Sequence, residues 1–414
     1  MLDIDKTKAL INKNSTSFYA FEEDEFKNNY LDLLNTFRSI YSDYNIAYSY
    51  KTNYTPYICN CVKELGGMAE VVSDMEYTLA KKLGYSNSNI IYNGPVKGEK
   101  LKEHILNGGL LNIDNIDEAK NIMNIAKNNP NKFIKVGIRV NFDVGAGYIS
   151  RFGLELDSDE FVETINLLKT MPNINIVGLH CHISRARNID SWQKRIDKLL
   201  YAADKYLNKT PEYIDVGSGM FGKMDPFFAK QFGDNVPSYL DYAKVVAGTM
   251  ERHYHGQEVK PLLISEPGTT IISNYMSLIS KVVQIKTIRD KKFATINSSF
   301  YNAGDVCLVK QLPYYVLDNN LNLKTKECKG ISVMGYTCLE QDCIAKNFNT
   351  ELEVGNYIVF GNVGGYSIVS KPPFIQPNVP IFAISKKRNK EIEIKRYESF
   401  DDIFATFLID GMYI

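Results

Sequence analysis

The chain has 414 residues, 44% of them hydrophobic, and its 48 Lys and Arg are cancelled by 48 Asp and Glu. A chain of this length exceeds what one compact core usually serves, so two domains are expected. Zero net charge excludes a general attraction to nucleic acid or to an anionic membrane, and it points to a small-molecule partner.

Met1-Leu2-Asp3-Ile4-Asp5-Lys6 has neither the apolar core of a signal peptide nor the arginines of a transit peptide, and no later run approaches membrane-spanning length. A soluble, cytoplasmic protein is expected. The seven cysteines are an odd number without a tight framework, which suits reduced thiols. Cys59 and Cys61, two apart on an expected helix, point to different faces and make a poor metal clip.

Residues 1–40 form an N-terminal segment with a helix expected from Glu22 to Ile40, assigned to pack with the second domain. From residue 41 a rhythm begins. Ile46 to Tyr50 reads as a strand, and Ile58, Val62 and Leu65 then recur at helical spacing before Gly66-Gly67. Ala69 to Val72 is the next strand, and Ser73 to Glu76 has capping-box spacing ahead of a helix that closes at Gly84. Further apolar strands are expected at 90–92, 110–113, 134–140, 176–180, 213–216 and 262–265, with helical patterns between most neighbours. Eight strands in strand-helix alternation predict a TIM-type (β/α)8 barrel over 41–270, with an open doubly wound sheet as the competing arrangement. Residues 271–414 lose the helical rhythm. Runs at 278–288, 293–297, 332–335, 353–360 and 381–385, rich in Val, Ile, Tyr and Phe, predict a β-rich domain of barrel or sandwich type, so the fold class is α/β.

In such a barrel the working residues stand at the carboxyl ends of strands. The first strand ends in Lys51, the sixth in His180-Cys181-His182-Ile183-Ser184-Arg185, the seventh in Asp215-Val216-Gly217-Ser218-Gly219, and the eighth in Ser265-Glu266-Pro267-Gly268. An amine at an apolar strand end loses solvation and tends to a lower pKa, which suits Schiff-base formation with an aldehyde. Gly217-Ser218-Gly219 lets backbone N–H groups approach an anion, although a tight bend alone accounts for many such turns. Lysine and phosphate cradle together suggest pyridoxal phosphate, and Glu266 then pairs with the pyridine nitrogen to keep the ring an electron acceptor. The pair His180 and His182 leaves three readings open: a metal chelate as in barrel hydrolases, two functional imidazoles, or a structural His180 beside a functional His182. In the β-rich part, the stretch from Gly335 to Asp342, with Cys338, Glu340 and Asp342, and the stretch from Gly361 to Ser367, with Tyr366, read by themselves as turns.

Taken in order from about residue 45 to 375, these motifs resemble the fold type III pyridoxal-phosphate decarboxylases, the group of diaminopimelate, ornithine and arginine decarboxylases with an alanine racemase-like barrel. Tyr48 to Asn53 is similar to the family's Y-A-x-K-A-N, Val71 to Glu76 to V-A-S-x-x-E, and Ser150 to Gly153 to S-K-F-G. His180 to Ile183 is similar to H-x-H-I-G-S, Asp215 to Gly219 to D-x-G-G-G, and Glu266 to Gly268 to E-P-G-R. Thr337-Cys338 matches the C-E/D-S cysteine and Gly364 to Tyr366 matches G-A-Y. The resemblance implies a lyase of amino acid metabolism that removes an α-carboxylate. Lys51 would be the Schiff-base lysine, His182 would stack on the ring, Gly217 to Gly219 would hold the phosphate, and Glu266 would meet the ring nitrogen with Gly268 beside it. Tyr366 would reach the phosphate or the substrate imine. Cys338 would donate a proton to the α-carbon from the neighbouring subunit, so a homodimer with shared sites is implied and no resident metal is expected. A racemase on the same fold and a metal-dependent barrel hydrolase are the alternatives.

Three positions depart from the pattern: Thr269 replaces the arginine of E-P-G-R, Leu339 the acid after the cysteine, and Arg185 the serine of H-I-G-S. By position, Arg185 is expected to supply the missing phosphate charge and Glu340 or Asp342 the missing acid. Diaminopimelate and ornithine are therefore disfavoured, and a free amino acid, a carboxylated polyamine or a carrier-linked aminoacyl group is expected instead.

Overall fold

The computed structural model describes residues 1–14, 16–386 and 390–413. They divide into two units: Lys27–Gly222 with Asn235–Thr270, and Met1–Phe26 with Lys223–Asp234 and Ile271–Ile414. The first unit thus begins at Lys27 rather than near residue 41, because the helix Glu23–Arg38 runs from one unit into the other.

The first unit is a closed barrel of eight parallel strands: β1 Tyr44–Ser49, β2 Met68–Val71, β3 Ile90–Tyr92, β4 Leu110–Ile113, β5 Ile134–Asn141, β6 Ile174–His180, β7 Tyr213–Asp215 and β8 Leu262–Ser265. Each pairs with the next, and β8 closes on β1 through Leu263↔Tyr44, which excludes the open sheet. All but a few strand residues are buried, as expected of strands covered on both faces. The helices between them carry their own start signals. Pro56 opens α1 (Pro56–Glu64), and Ser73 caps α2 (Asp74–Lys82) by accepting from Glu76 N. Glu76 does not complete a capping box, since its Oε2 accepts instead from Val72 N at 2.8 Å. Asn188 caps α3 (Ile189–Tyr206).

Two glycines make room inside the barrel. A Cβ on Gly137 of β5 or Gly178 of β6 would collide with the Tyr213 phenol. That phenol crosses the interior and donates to Asn112 Oδ1 at 2.7 Å.

The β-rich unit is a sheet into which the N-terminal strand Phe18–Glu22 is inserted. It pairs antiparallel with β9 (Met276–Ile288) and parallel with the strand Ile381–Ser385. This strand was not expected, because Phe-Tyr-Ala-Phe is buried without a polar alternation to mark it. β10 (Lys291–Ile296) pairs parallel with β11 (Glu327–Met334), which pairs antiparallel with β12 (Cys343–Thr350). The loop 335–342 joins the last two. Among the described residues no helix is long and apolar enough to cross a membrane, and the seven cysteines are free thiols.

Candidate active site

The register sets the site. Ser49↔Glu70 and His180↔Asp215 are aligned pairs at the carboxyl ends of their strands. Lys51 follows β1 in a short 3-10 turn, Tyr50–Thr52, and its Nζ lies 2.5 Å from Glu70 Oε2. Ser49 Oγ donates to the same oxygen at 2.5 Å. Asn93 bridges two carboxylates: its Nδ2 lies 3.2 Å from Glu70 Oε1 and 2.5 Å from Glu266 Oε1. Asn112 donates to Asn93 Oδ1 at 2.8 Å, so the chain Tyr213, Asn112, Asn93, Glu266 aims every donor toward Glu266.

Glu266 is 4% exposed, and its Oε2 lies 3.2 Å from His180 Nε2. Burial works against its charge, yet His180, Lys51 and a hydrogen bond from Asp215 hold the carboxyl well below the usual range. Asp215 is pushed the other way, well up, by burial and by the adjacent Glu266. The two carboxyls are thus pushed apart, Glu266 toward the anion and Asp215 toward the acid.

The imidazoles of His180 and His182 have separate duties. His180 turns to Glu266, whereas His182 Nδ1 accepts the Ser218 N–H at 3.1 Å. Burial, with Lys51 and Arg139 nearby, keeps His182 far below the ordinary imidazole pKa, so its ring is neutral and, with Nδ1 accepting, protonated on Nε2. The two do not share a metal. Buried His180, Asp215 and Glu266 do bring three donor atoms within 4.8 Å of one another, two of them joined as the His180–Glu266 pair.

Gly217 and Gly219 have φ of 60° and 110°, which an L side chain resists. A Cβ on Gly217 would also run into the Cys181 carbonyl and sit 2.8 Å from His182 Cβ. The N–H groups are less available than the sequence suggests: Gly217 N donates to Asp215 Oδ1 at 2.9 Å and Ser218 N to His182. The Ser218 hydroxyl, by contrast, is buried with no partner, as a group awaiting an anion would be. Gly268 packs so closely on Thr52 that a Cβ would strike its hydroxyl, and Thr269 begins the short helix Thr269–Ile272. Arg185 is exposed at φ 63° and makes none of these contacts.

In the β-rich unit, Cys338 is exposed in the loop 335–342 and Tyr366 is 41% exposed at φ 55°. Glu340 faces solvent. Asp342 corrects an expectation: it is 1% exposed, and its oxygens accept from Phe300 N at 2.8 Å, Thr337 N at 3.0 Å and Thr337 Oγ1 at 2.6 Å. A carboxylate committed in this way holds the loop and is not free to meet a substrate amine.

Sequence reasoning missed Glu70, Asn93, Asn112 and Asp215 as members of the site. The available signal was a polar residue inside or just after an otherwise apolar barrel strand, as in Met68-Ala69-Glu70-Val71 and Leu110-Leu111-Asn112-Ile113. Arg139 carried the same signal. Its guanidinium lies 3.4 Å from Asp114 and donates to the His182 carbonyl at 3.2 Å, while Asp114 also accepts from Gly153 N.

A lysine at the end of a barrel strand, an ionised carboxylate on the same rim and a glycine turn define a barrel enzyme built for a phosphorylated aldehyde cofactor. Residues 28–273 match the family model for the pyridoxal-dependent decarboxylase, pyridoxal binding domain. The chain belongs to this family, as a pyridoxal phosphate-dependent amino acid decarboxylase. It is 27% identical over 376 residues to a diaminopimelate decarboxylase of Aquifex aeolicus, covering 87% of this chain and 84% of the relative. To that of Methanocaldococcus jannaschii it is 26% identical over 423 residues, with 97% and 93% covered. The solved structure of the latter enzyme superposes with a TM-score of 0.83 at 24% identity, covering 97% of this chain and 94% of that one. The Paramecium bursaria Chlorella virus arginine decarboxylase gives 0.77 at 18% identity, with 92% and 100% covered. These likenesses show the barrel and β-rich fold.

Proposed function

We propose that Lys51 carries the cofactor aldehyde, that Glu266 meets the pyridine nitrogen, that His182 lies against the ring, and that the turn Gly217 to Gly219, with Gly268 nearby, seats the phosphate. The observation that supports this best is the ion pair of Lys51 with Glu70 at 2.5 Å, joined through Asn93 to an ionised Glu266 on the same rim. Bound there, pyridoxal phosphate supplies the electron sink that loss of a carboxylate requires. Glu70 would hold the Lys51 side chain on the rim whenever it is not bonded to the cofactor. Asp215, protonated, and His180 fix Glu266 as an anion, and Arg139 steadies the backbone of His182. Cys338 of a second copy of the chain would return a proton to the α-carbon and Tyr366 would reach the phosphate or the substrate imine, which makes the working form a homodimer with shared sites. Seven free thiols support a reducing, cytoplasmic setting.

The substrate is an amino acid whose far end differs from that of diaminopimelate. The support is the replacement of the family's arginine by Thr269 and of its acid by Leu339, with Glu340 as the remaining exposed acid of that loop. Carbon dioxide release is measured across diaminopimelate, lysine, ornithine, arginine, a carboxylated polyamine and a carrier-linked aminoacyl group. Release is expected to be fastest from a compound other than diaminopimelate, and diaminopimelate as the best substrate would overturn this reading. For the dimer, mixing Lys51→Ala with Cys338→Ala chains is expected to restore activity that neither has alone. Failure to complement removes the shared site.

A further inference from the structure

Arg195 is a charge that the catalytic scheme above does not use. It stands on α3, 0% exposed, with its guanidinium 4.4 Å from the centroid of the Trp192 ring. All its hydrogen bonds run to carbonyl oxygens: Nη1 to Ser218 at 3.0 Å, and Nη2 to Ile183 at 2.6 Å and Ala186 at 2.9 Å. Its Nε has no partner. Among the described residues no carboxylate pairs with it, and the groups that offset its burial are the Cys181 thiol and the Tyr242 and Tyr148 phenols. A buried cation without a counterion is strongly unfavourable, so its retention calls for an anion from elsewhere.

Its position says which anion. The three carbonyls belong to the two loops that meet at the glycine turn, and a Cβ built on Gly219 would stand 3.9 Å from Arg195 Nη2. Two of the turn's N–H groups are already taken by Asp215 and His182, which leaves the turn short of charge for a dianion. Thr269 is neutral, and Arg185 is exposed at φ 63°.

We propose that Arg195, from beneath the turn, supplies the positive charge that neutralises the cofactor phosphate, in place of the arginine that follows E-P-G in the family motif. This rests on the reading of Gly217 to Gly219 as the phosphate turn. In a water-poor interior a guanidinium acts at distances over which a surface charge would be screened.

The test compares pyridoxal phosphate with pyridoxal, which lacks the phosphate, in equilibrium binding to the full chain stripped of cofactor. Arg195→Met is expected to weaken pyridoxal phosphate binding roughly 10- to 100-fold and pyridoxal binding by no more than about threefold. An equal loss for both ligands would make Arg195 a loop clamp only and overturn the proposal. A wild-type chain with no preference between the two would overturn the phosphate-turn reading, and the proposal with it. A second measurement needs no variant. Trp192 is the sole tryptophan and lies against the guanidinium, so inorganic phosphate added to the wild-type chain is expected to shift its emission saturably and to be displaced by pyridoxal phosphate. A silent Trp192 in a chain that still prefers the phosphorylated ligand overturns the proposal, whether or not Arg195→Met folds.

Discussion

The barrel rim and the loop 335–342 of the β-rich unit use the same kinds of side chain in opposite ways. On the rim, Glu70, His180, Asp215 and Glu266 are each less than 5% exposed, and Glu70 and Glu266 are already tied to Lys51, Asn93 and His180 before any substrate arrives. On the loop the satisfied carboxylate, Asp342, lies underneath, while Cys338 and Glu340 face outward. Buried groups of one unit can complete a cofactor site. An exposed thiol on a firmly held loop is suited to act on something that the same unit does not hold.

This contrast gives a ranking of effects. The largest is expected for Lys51→Ala, which should lower turnover by about 10⁴-fold or more and abolish the borohydride-trappable visible absorption. A band that survived would move the lysine role elsewhere on the rim. Cys338→Ala should slow turnover roughly 10²- to 10⁴-fold with cofactor binding intact, because no member of the rim depends on it. If cofactor is lost instead, the separation of the two regions is wrong.

Smaller effects sharpen the comparison. Asp342→Ala strips the acceptor from two backbone N–H groups and the Thr337 hydroxyl, and should cost roughly 2–4 kcal/mol in denaturant unfolding. It should also slow turnover, since Cys338 sits on the released loop. Stability unchanged within error would mean that the loop is held by other contacts. Glu76, buried beside the rim, gives an effect that is confined to a pH window. Burial lifts its carboxyl from 4.5 to about 7. A folded pKa above the unfolded one means that this stability is full below about pH 4.5 and lost as pH rises through 7, on the order of 3 kcal/mol. Glu76→Gln should flatten that window, and an unchanged pH profile would show that Glu76 stays ionised.

The barrel was legible because each strand is a short apolar run ended by a polar or glycine residue, so β3, β4 and β8 were read to the residue. Lys51, His182 and Glu266 stand at strand ends, where position alone draws attention to them. Glu70, Asn112 and Arg139 were overlooked because a polar residue within an apolar strand looks like an interruption until the barrel closes and turns it inward. Arg195 was hidden for another reason. One more arginine on an amphipathic helix looks like its solvent face, and only the packing of the loops over it reveals a buried charge. The N-terminal strand could not be read, since its partners lie at the far end of the chain.

That last pairing bears on how the protein is made. Tyr19 lies opposite Ile381, so the strand Phe18–Glu22 emerges from the ribosome long before one of its two neighbours exists. Until that neighbour is made, one side of Phe18–Glu22 stays an open edge, the kind of segment that recruits chaperones or another nascent copy. The barrel strands, each paired with near neighbours in sequence apart from the closing contact of β8 with β1, have no such wait.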